Sequence, residues 1–344
     1  MVRRNPRRNA LAPSARRQAA HRGDPRRTPR RDESLARYFD ADPRLSRRPR
    51  KEGREGRLHL CNAGNDPLSD GCAALVAGKH VFLEKPIAID LWEADELITL
   101  ARRADLKFTI GYSQRFNPKS AYAKKKLADG TLGEPVTALV SRHLSRNLGK
   151  KISGRVKLSP ASMEATHDLD FLLWLLEPAR PVRVYAQGVN RVMYPATGAF
   201  DCMWTTVTLD NGVVIVVGAG WILPPGYPNF SSTWVEIIGS EGALILDDSR
   251  RDVWLNTMAG GTVFPLSTMP GEQVDHIYAG AMGPETIHFL EAVAYDRPVM
   301  VTPESARVVM EVYTAADLSA ERNAPVELPL SNEAISAIAA GAQQ

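Results

Sequence analysis

Cysteine is scarce: Cys61, Cys72 and Cys202 are the only three in 344 residues, widely spaced and odd in number. That excludes a disulfide scaffold and any cysteine-based metal centre, and it fits a reducing compartment, so a cytoplasmic protein without a bound metal is expected. Long apolar runs are also missing. The longest, VVIVVGAGWIL from Val213 to Leu223, contains glycines and is far shorter than the roughly 20 residues a bilayer span needs. No membrane association is expected. Before residue 58 there is no GxGxxG phosphate turn, and hence no place from which to count the acidic ribose-binding residue about 20 positions later.

Charge is unevenly distributed. The formal charge is +4 overall, but residues 1–57 hold 18 of the arginines in clusters such as RRNPRR, PRRTPRR and SRRPRK. With few apolar residues and no sustained period, burial there cannot offset the entropy of ordering the chain, so disorder is expected over 1–57. A phosphate-binding arm, a targeting peptide and translation of a GC-rich gene from a wrong start or frame could each give such a segment. Asp24, Asp32, Glu33, Asp40 and Asp42 argue against the targeting peptide. The richness in Arg, Pro, Ala and Gly and the abrupt change near Leu58 favour the third origin. Nucleic acid is therefore not an expected partner.

From Leu58 onward the hydrophobic fraction suits a globular core, and the order is strand, helix, strand, helix, strand. LHLC, HVFL and KFTIGY are the strands, Pro67–Ala77 and LWEADELITLARRA the helices, with Gly78 and Asp90 as end signals. Right-handed crossovers then give a parallel sheet. Pro86 stops the second strand at Glu84-Lys85-Pro86, and strand carboxyl ends border the ligand crevice of such sheets. Lys85 can face a bound molecule there, or be a solvated turn residue.

Beyond Asn117-Pro118 a helix covers SAYAKKKLADG, and the pattern then changes. GEPVTALVSRHLS reads as a long strand and THDLDFLLWLLE as an apolar helix opened by polar residues. Hairpins are signalled around Asp210-Asn211-Gly212 and Ser240-Glu241. They indicate an antiparallel or mixed sheet, followed by the helices ETIHFLEAVAY and ESARVVMEVYTAADLSA.

In AGKHVFLEKPIA, GYSQRFNP, THDLDFLLWLL and EAVAYDRPVMVTPESARVVMEVYTAADLSAERNAPVEL, the chain resembles the glucose–fructose oxidoreductase / inositol dehydrogenase family, Gfo/Idh/MocA, over roughly residues 58–330. The resemblance implies an α/β fold: a Rossmann-type domain, incomplete here and spanning 58–118, then an α+β domain with a large open mixed sheet over 119–330, and a tail at 331–344. It further implies NAD or NADP as cofactor, a sugar, cyclitol or cyclic dihydrodiol as substrate, and a homo-oligomer formed through the C-terminal sheet. Lys85 would be catalytic and polarise the reacting oxygen; His167, the family's helix-start histidine, would handle its proton, its imidazole kept neutral by the helix N-terminus.

Asn65, Glu84, Lys85, Pro86 and Arg115 are the implied cofactor contacts, and Lys85, Asn147 and His167 the substrate contacts. Asp170 could orient His167; Phe171, Leu172, Trp174, Leu175 and Leu176 read as core. Tyr112, Gln114, Trp221 and Tyr227 read equally as pocket lining or packing. Many members place an aspartate four residues before the histidine, where this chain has Met163; Glu164 has the right chemistry at a different spacing. That departure, together with the missing glycine turn, leaves a catalytically silent ligand-binding or scaffold subunit as the alternative to a dehydrogenase.

Overall fold

The structure, a computed structural model, describes residues 58–61, 67–153, 159–249, 253–266 and 271–342. The arginine-rich segment 1–57 and Asn65 lie outside the described residues.

Three parallel strands, β1 (Leu58–Cys61), β2 (His80–Leu83) and β3 (Phe108–Ile110), lie side by side in that order. Helix α1 (Pro67–Val76) joins the first two, and Gly78 turns the chain at φ +68°. Helix α2 (Leu91–Arg103) starts where Asp90 accepts a bond from Glu93 N, satisfying one orphan donor of the first turn. Its buried Leu91, Ala94, Leu97, Ile98 and Ala101 match the expected face. Helix α3 (Pro118–Ala128) begins at the Asn117 cap.

The second sheet has seven strands: β4 (Pro135–Ser145), β5 (Pro181–Val189), β6 (Cys202–Leu209), β7 (Val214–Leu223), β8 (Ser231–Gly239), β9 (Ala243–Asp247) and β14 (Val326–Glu327). Their spatial order is β14-β5-β6-β7-β4-β8-β9. Only β4 and β7 pair in parallel, so the sheet is mixed, as the two hairpin signals imply. Buried and more exposed residues alternate along β8, the mark of a sheet with one covered face. Two small hairpins, β10 (Leu255–Thr257) with β11 (Gly261–Val263) and β12 (Gln273–Val274) with β13 (Ile277–Tyr278), extend the chain before the last helices.

Helix α4 (Arg146–Ser153) follows β4 directly. Helix α5 (Thr166–Leu175) does not start afresh at its polar residues. A π-helical turn, Ala161–Ala165, runs straight into it, and Ala165 already has helical dihedrals. Helix α6 (Met282–Ala294) and the 20-residue α7 (Pro303–Arg322) close the fold, with α8 (Asn332–Ala342) last. The segment before α7 and α7 itself fasten the parallel sheet: Thr109 Oγ1 donates to Val301 O at 2.8 Å, and Arg307 pairs with Asp95 of α2 at 3.0 Å. At its other end α7 meets β5, where Ser319 Oγ accepts from Ala186 N.

Candidate active site

Lys85 stands at the carboxyl end of β2, half-buried, its peptide bond to Pro86 cis. Its Nζ donates to the Met163 carbonyl of the π turn at 2.8 Å. Among the described residues that is its one hydrogen bond, so two of the three ammonium donors remain for another molecule. Burial lowers the Lys85 pKa; Glu164 and then Glu84 pull it back up, and Arg142 adds to the lowering.

His167 occupies the first turn of α5, edge-on to Tyr112 with ring centroids 6.1 Å apart. Its Nδ1 is buried without a hydrogen-bond partner among the described residues. Burial first, then the charges of Lys85 and Arg142, hold its pKa well below the usual histidine value. Neutrality was expected, but from a helix N-terminus. The π turn removes that terminus, and burial beside two cations takes over the role.

The other residues singled out from sequence fall into place around this pair. Glu84 is half-buried; its Oε2 lies 2.9 Å from the position a Cβ on Gly111 would take, so only glycine admits the carboxylate against the end of β3. Arg115 is a correction. Only 3% exposed, it grips Asp170 with Nε–Oδ2 at 2.9 Å and Nη2–Oδ1 at 2.6 Å, and donates also to Met300 O and Ser305 Oγ. A guanidinium so engaged is an internal brace rather than a cofactor contact, and Asp170 serves Arg115 rather than His167. Asn147 is exposed in the first turn of α4, its backbone N donating to Ser145 Oγ. Tyr112 is buried and bonded to Thr166 through its hydroxyl at 2.7 Å, a packing role. Trp174 is half-buried, stacked by Arg115 and Lys124 rather than enclosed in the core. Gln114 lines a small hollow with Asn117, Lys119, Asp168 and Asp248; neither Lys85 nor His167 forms its walls.

Two groups, Arg142 and Glu285, had no functional reading in the sequence, and Trp221 read there as pocket lining or packing. Arg142 of β4 pairs with Asp168, its Nε 2.9 Å from Oδ2. Trp221 of β7 donates from Nε1 to Glu164 Oε1 at 2.9 Å. Glu285 of α6 is 4% exposed with Oε1 unpartnered among the described residues, and burial, aided by Glu84 and Asp170, pushes its carboxyl up to about 8. Among the carboxylates of this group, Glu164 carried a sequence signal, its chemical type beside Met163.

Glu285 gives a direct test. The folded chain binds a proton there that the unfolded chain has released above about pH 4.5, so stability falls as pH rises from that value to about 8. Glu285→Gln is therefore expected to leave the urea midpoint unchanged near pH 4 and to raise it at pH 9. Equal midpoints at pH 9 would show that the carboxyl is not held neutral.

The chain thus combines a parallel sheet with a lysine at the end of one strand and a mixed sheet beside the helix that carries a neutral histidine. Residues 124–328 match the oxidoreductase family's C-terminal alpha/beta domain and residues 71–112 its NAD-binding Rossmann fold. The chain belongs to the Gfo/Idh/MocA oxidoreductase family. It is 26% identical to scyllo-inositol 2-dehydrogenase (NAD(+)) of Bacillus subtilis over 254 residues, 73% of this chain and 71% of that one. With UDP-N-acetylglucosamine 3-dehydrogenase of Acidithiobacillus ferrooxidans it shares 29% over 238 residues, 69% and 70% of the two chains. Among solved structures, scyllo-inositol dehydrogenase from Lactobacillus casei with NAD(H) and scyllo-inositol superposes with a TM-score of 0.65 at 22% identity, covering 77% of each chain. No helix among the described residues is long and apolar enough to cross a membrane.

The nicotinamide end of a dinucleotide fits these residues. Lys85 has open donors at a strand terminus, close enough to His167 to depress its pKa, and no hydrogen bond within the described residues uses those donors up, the pattern of a group placed for a ligand rather than for the fold. Glu84, Lys85 and Pro86 are the described residues that would flank it.

Proposed function

We propose that this chain is an NAD(P)-dependent dehydrogenase acting on a secondary alcohol or carbonyl carbon of a sugar, cyclitol or cyclic dihydrodiol. The observation that carries the reading is the Lys85 ammonium, fixed by one bond to Met163 O with two donors to spare, beside a neutral His167. When bound, the nicotinamide exchanges the hydride of the carbinol carbon. Lys85 donates to the substrate oxygen and stabilises negative charge as it develops. His167, neutral at physiological pH, accepts the hydroxyl proton in oxidation and returns it in reduction. Because Nδ1 is enclosed, Nε2 is the nitrogen left to meet the substrate. Asn65 and Asn147 remain candidates for cofactor and substrate contact respectively. Tyr185 and Trp204, each 39% exposed on the second sheet, support pairing with another copy through that face.

The absent glycine turn favours a second reading, a silent ligand-binding subunit. The two are separated by titrating NADH and NADPH fluorescence against the full-length chain, then assaying polyols, nucleotide sugars and dihydrodiols with the cofactor that binds. Reduced-cofactor formation with any cyclic polyol supports the dehydrogenase. Failure to bind either cofactor overturns it.

A further inference from the structure

Between Glu134 and Glu164 the chain carries Arg142, Arg146, Lys150, Lys151, Arg155 and Lys157 and no acidic residue. The run leaves β4 where Arg142 meets Asp168 and returns at the π turn whose Met163 carbonyl holds Lys85, so it begins and ends at the candidate site. Arg155 and Lys157 lie outside the described residues, and Arg142 is spent on Asp168. Helix α4 carries the rest, and close packing sets its place. A Cβ on Gly149 would come within 2.5 Å of Trp221 Cβ, so glycine lets the helix backbone lie directly against the residue that bonds Glu164 of the π turn. Arg146, in the first turn of α4, is half-buried, and its Nε donates at 3.0 Å to the carbonyl of Ile222, the neighbour of Trp221. That bond ties the guanidinium to the carboxyl end of β7. It leaves Nη1 and Nη2 unused, and no carboxylate pairs with Arg146 among the described residues. Asn147 beside it and Lys151 further along α4 are exposed and likewise make no side-chain bond among the described residues.

We propose that the Arg146 fork, supported by the charge of Lys151, receives a phosphate group carried by the substrate, which makes that substrate a phosphate-bearing sugar or cyclitol. An anchored guanidinium with its outer N–H groups unspent matches the oxygens of an oxyanion two at a time. A surplus of several positive charges around it favours a multiply charged group, hence phosphate over a single carboxylate. The proposal rests on the dehydrogenase reading for the reaction and adds the charged end of the molecule; the reacting carbon stays with Lys85 and His167. Phosphate monoesters and nucleotide diphosphate sugars share this group, and the test separates them.

The test is isothermal calorimetry on the full-length chain without cofactor, with inorganic pyrophosphate, glucose 6-phosphate and uridine diphosphate glucose as probes. Binding is expected, and Arg146→Leu is expected to weaken it by about tenfold or more, the worth of one charge-assisted contact. Lys151→Ala is expected to weaken it less, and Lys125→Ala, an exposed lysine of α3, to leave it as in the native chain. Preference for glucose 6-phosphate marks a monoester, and preference for uridine diphosphate glucose a nucleotide sugar. Equal affinity in Arg146→Leu and the native chain means that another surface, the arginine-rich segment 1–57 included, takes the anion, and it overturns the proposal. Failure of all three probes to bind does the same, as does an equal loss of NADPH binding in Arg146→Leu, which would give the fork to the cofactor. Should Arg146→Leu fail to fold, Arg146→Gln decides, because it keeps a donor for the Ile222 carbonyl without the charge. In an active preparation Arg146→Leu raises KM for the phosphorylated substrate with little change in kcat, a split that a merely structural role does not produce. Absence of turnover with every polyol and phosphorylated sugar would sink the dehydrogenase reading, while the calorimetry still decides the role of Arg146.

Discussion

Lys85→Ala is expected to lower kcat by roughly 100- to 1000-fold, the usual loss when one preorganised donor to a developing oxyanion is removed. Cofactor binding, followed by fluorescence, is expected to change far less, since the ammonium acts on the reacting oxygen. The folded state should not suffer in proportion. Burial lowers the Lys85 pKa, so the native chain holds that charge at a cost the unfolded chain does not bear. The substitution removes the cost together with the bond to Met163 O. The sign is fixed by the direction of the shift: relief is full at any pH where the lysine is charged in both states, and it fades as pH rises toward 10.5, where the unfolded chain also loses the proton. A thermal midpoint within a few degrees of the native value, with turnover collapsed, is the expected pair of results. Unaltered turnover would remove Lys85 from the chemistry.

The second large effect concerns folding. Arg115→Leu leaves Asp170, a fully buried carboxylate, without its bidentate partner, and is expected to cost about 3–5 kcal/mol in urea unfolding. The double substitution Arg115→Leu with Asp170→Leu is expected to recover much of that loss, because no unpaired charge remains inside. If Arg115 contacted cofactor instead, the single variant would weaken dinucleotide binding and leave the urea midpoint in place. The two readouts move in opposite patterns, so one series of unfolding and binding titrations separates them.

Most of the architecture could be read from local signals. Gly78, Asp90 and Asn117 mark their helix ends by conformation and capping chemistry, and Asp210-Asn211-Gly212 announces a hairpin whichever sheet it joins. Lys85 was legible for a similar reason, since Pro86 must end its strand. The long-range polar pairs were not. Arg115 meets Asp170 across 55 residues, Arg142 meets Asp168 across 26, and Trp221 meets Glu164 across 57, and nothing in the residues between specifies those meetings. The π turn was hidden as well, because Ala161–Ala165 has the composition of an ordinary helix start. His167 was therefore given the right charge for the wrong reason.

Helix α7 touches both sheets, bonded to α2 through Arg307 and to β5 through Ser319. Lys85 follows a strand of one sheet and the elements beneath His167 belong to the other, so a single strut sets the spacing of the two side chains proposed to act on substrate. Such a frame leaves little room for a clamshell motion in which one half swings away from the other. Substrate entry would then depend on small local adjustments at the crevice rim, and the distance over which a proton must travel would be fixed when the chain folds rather than when a ligand arrives.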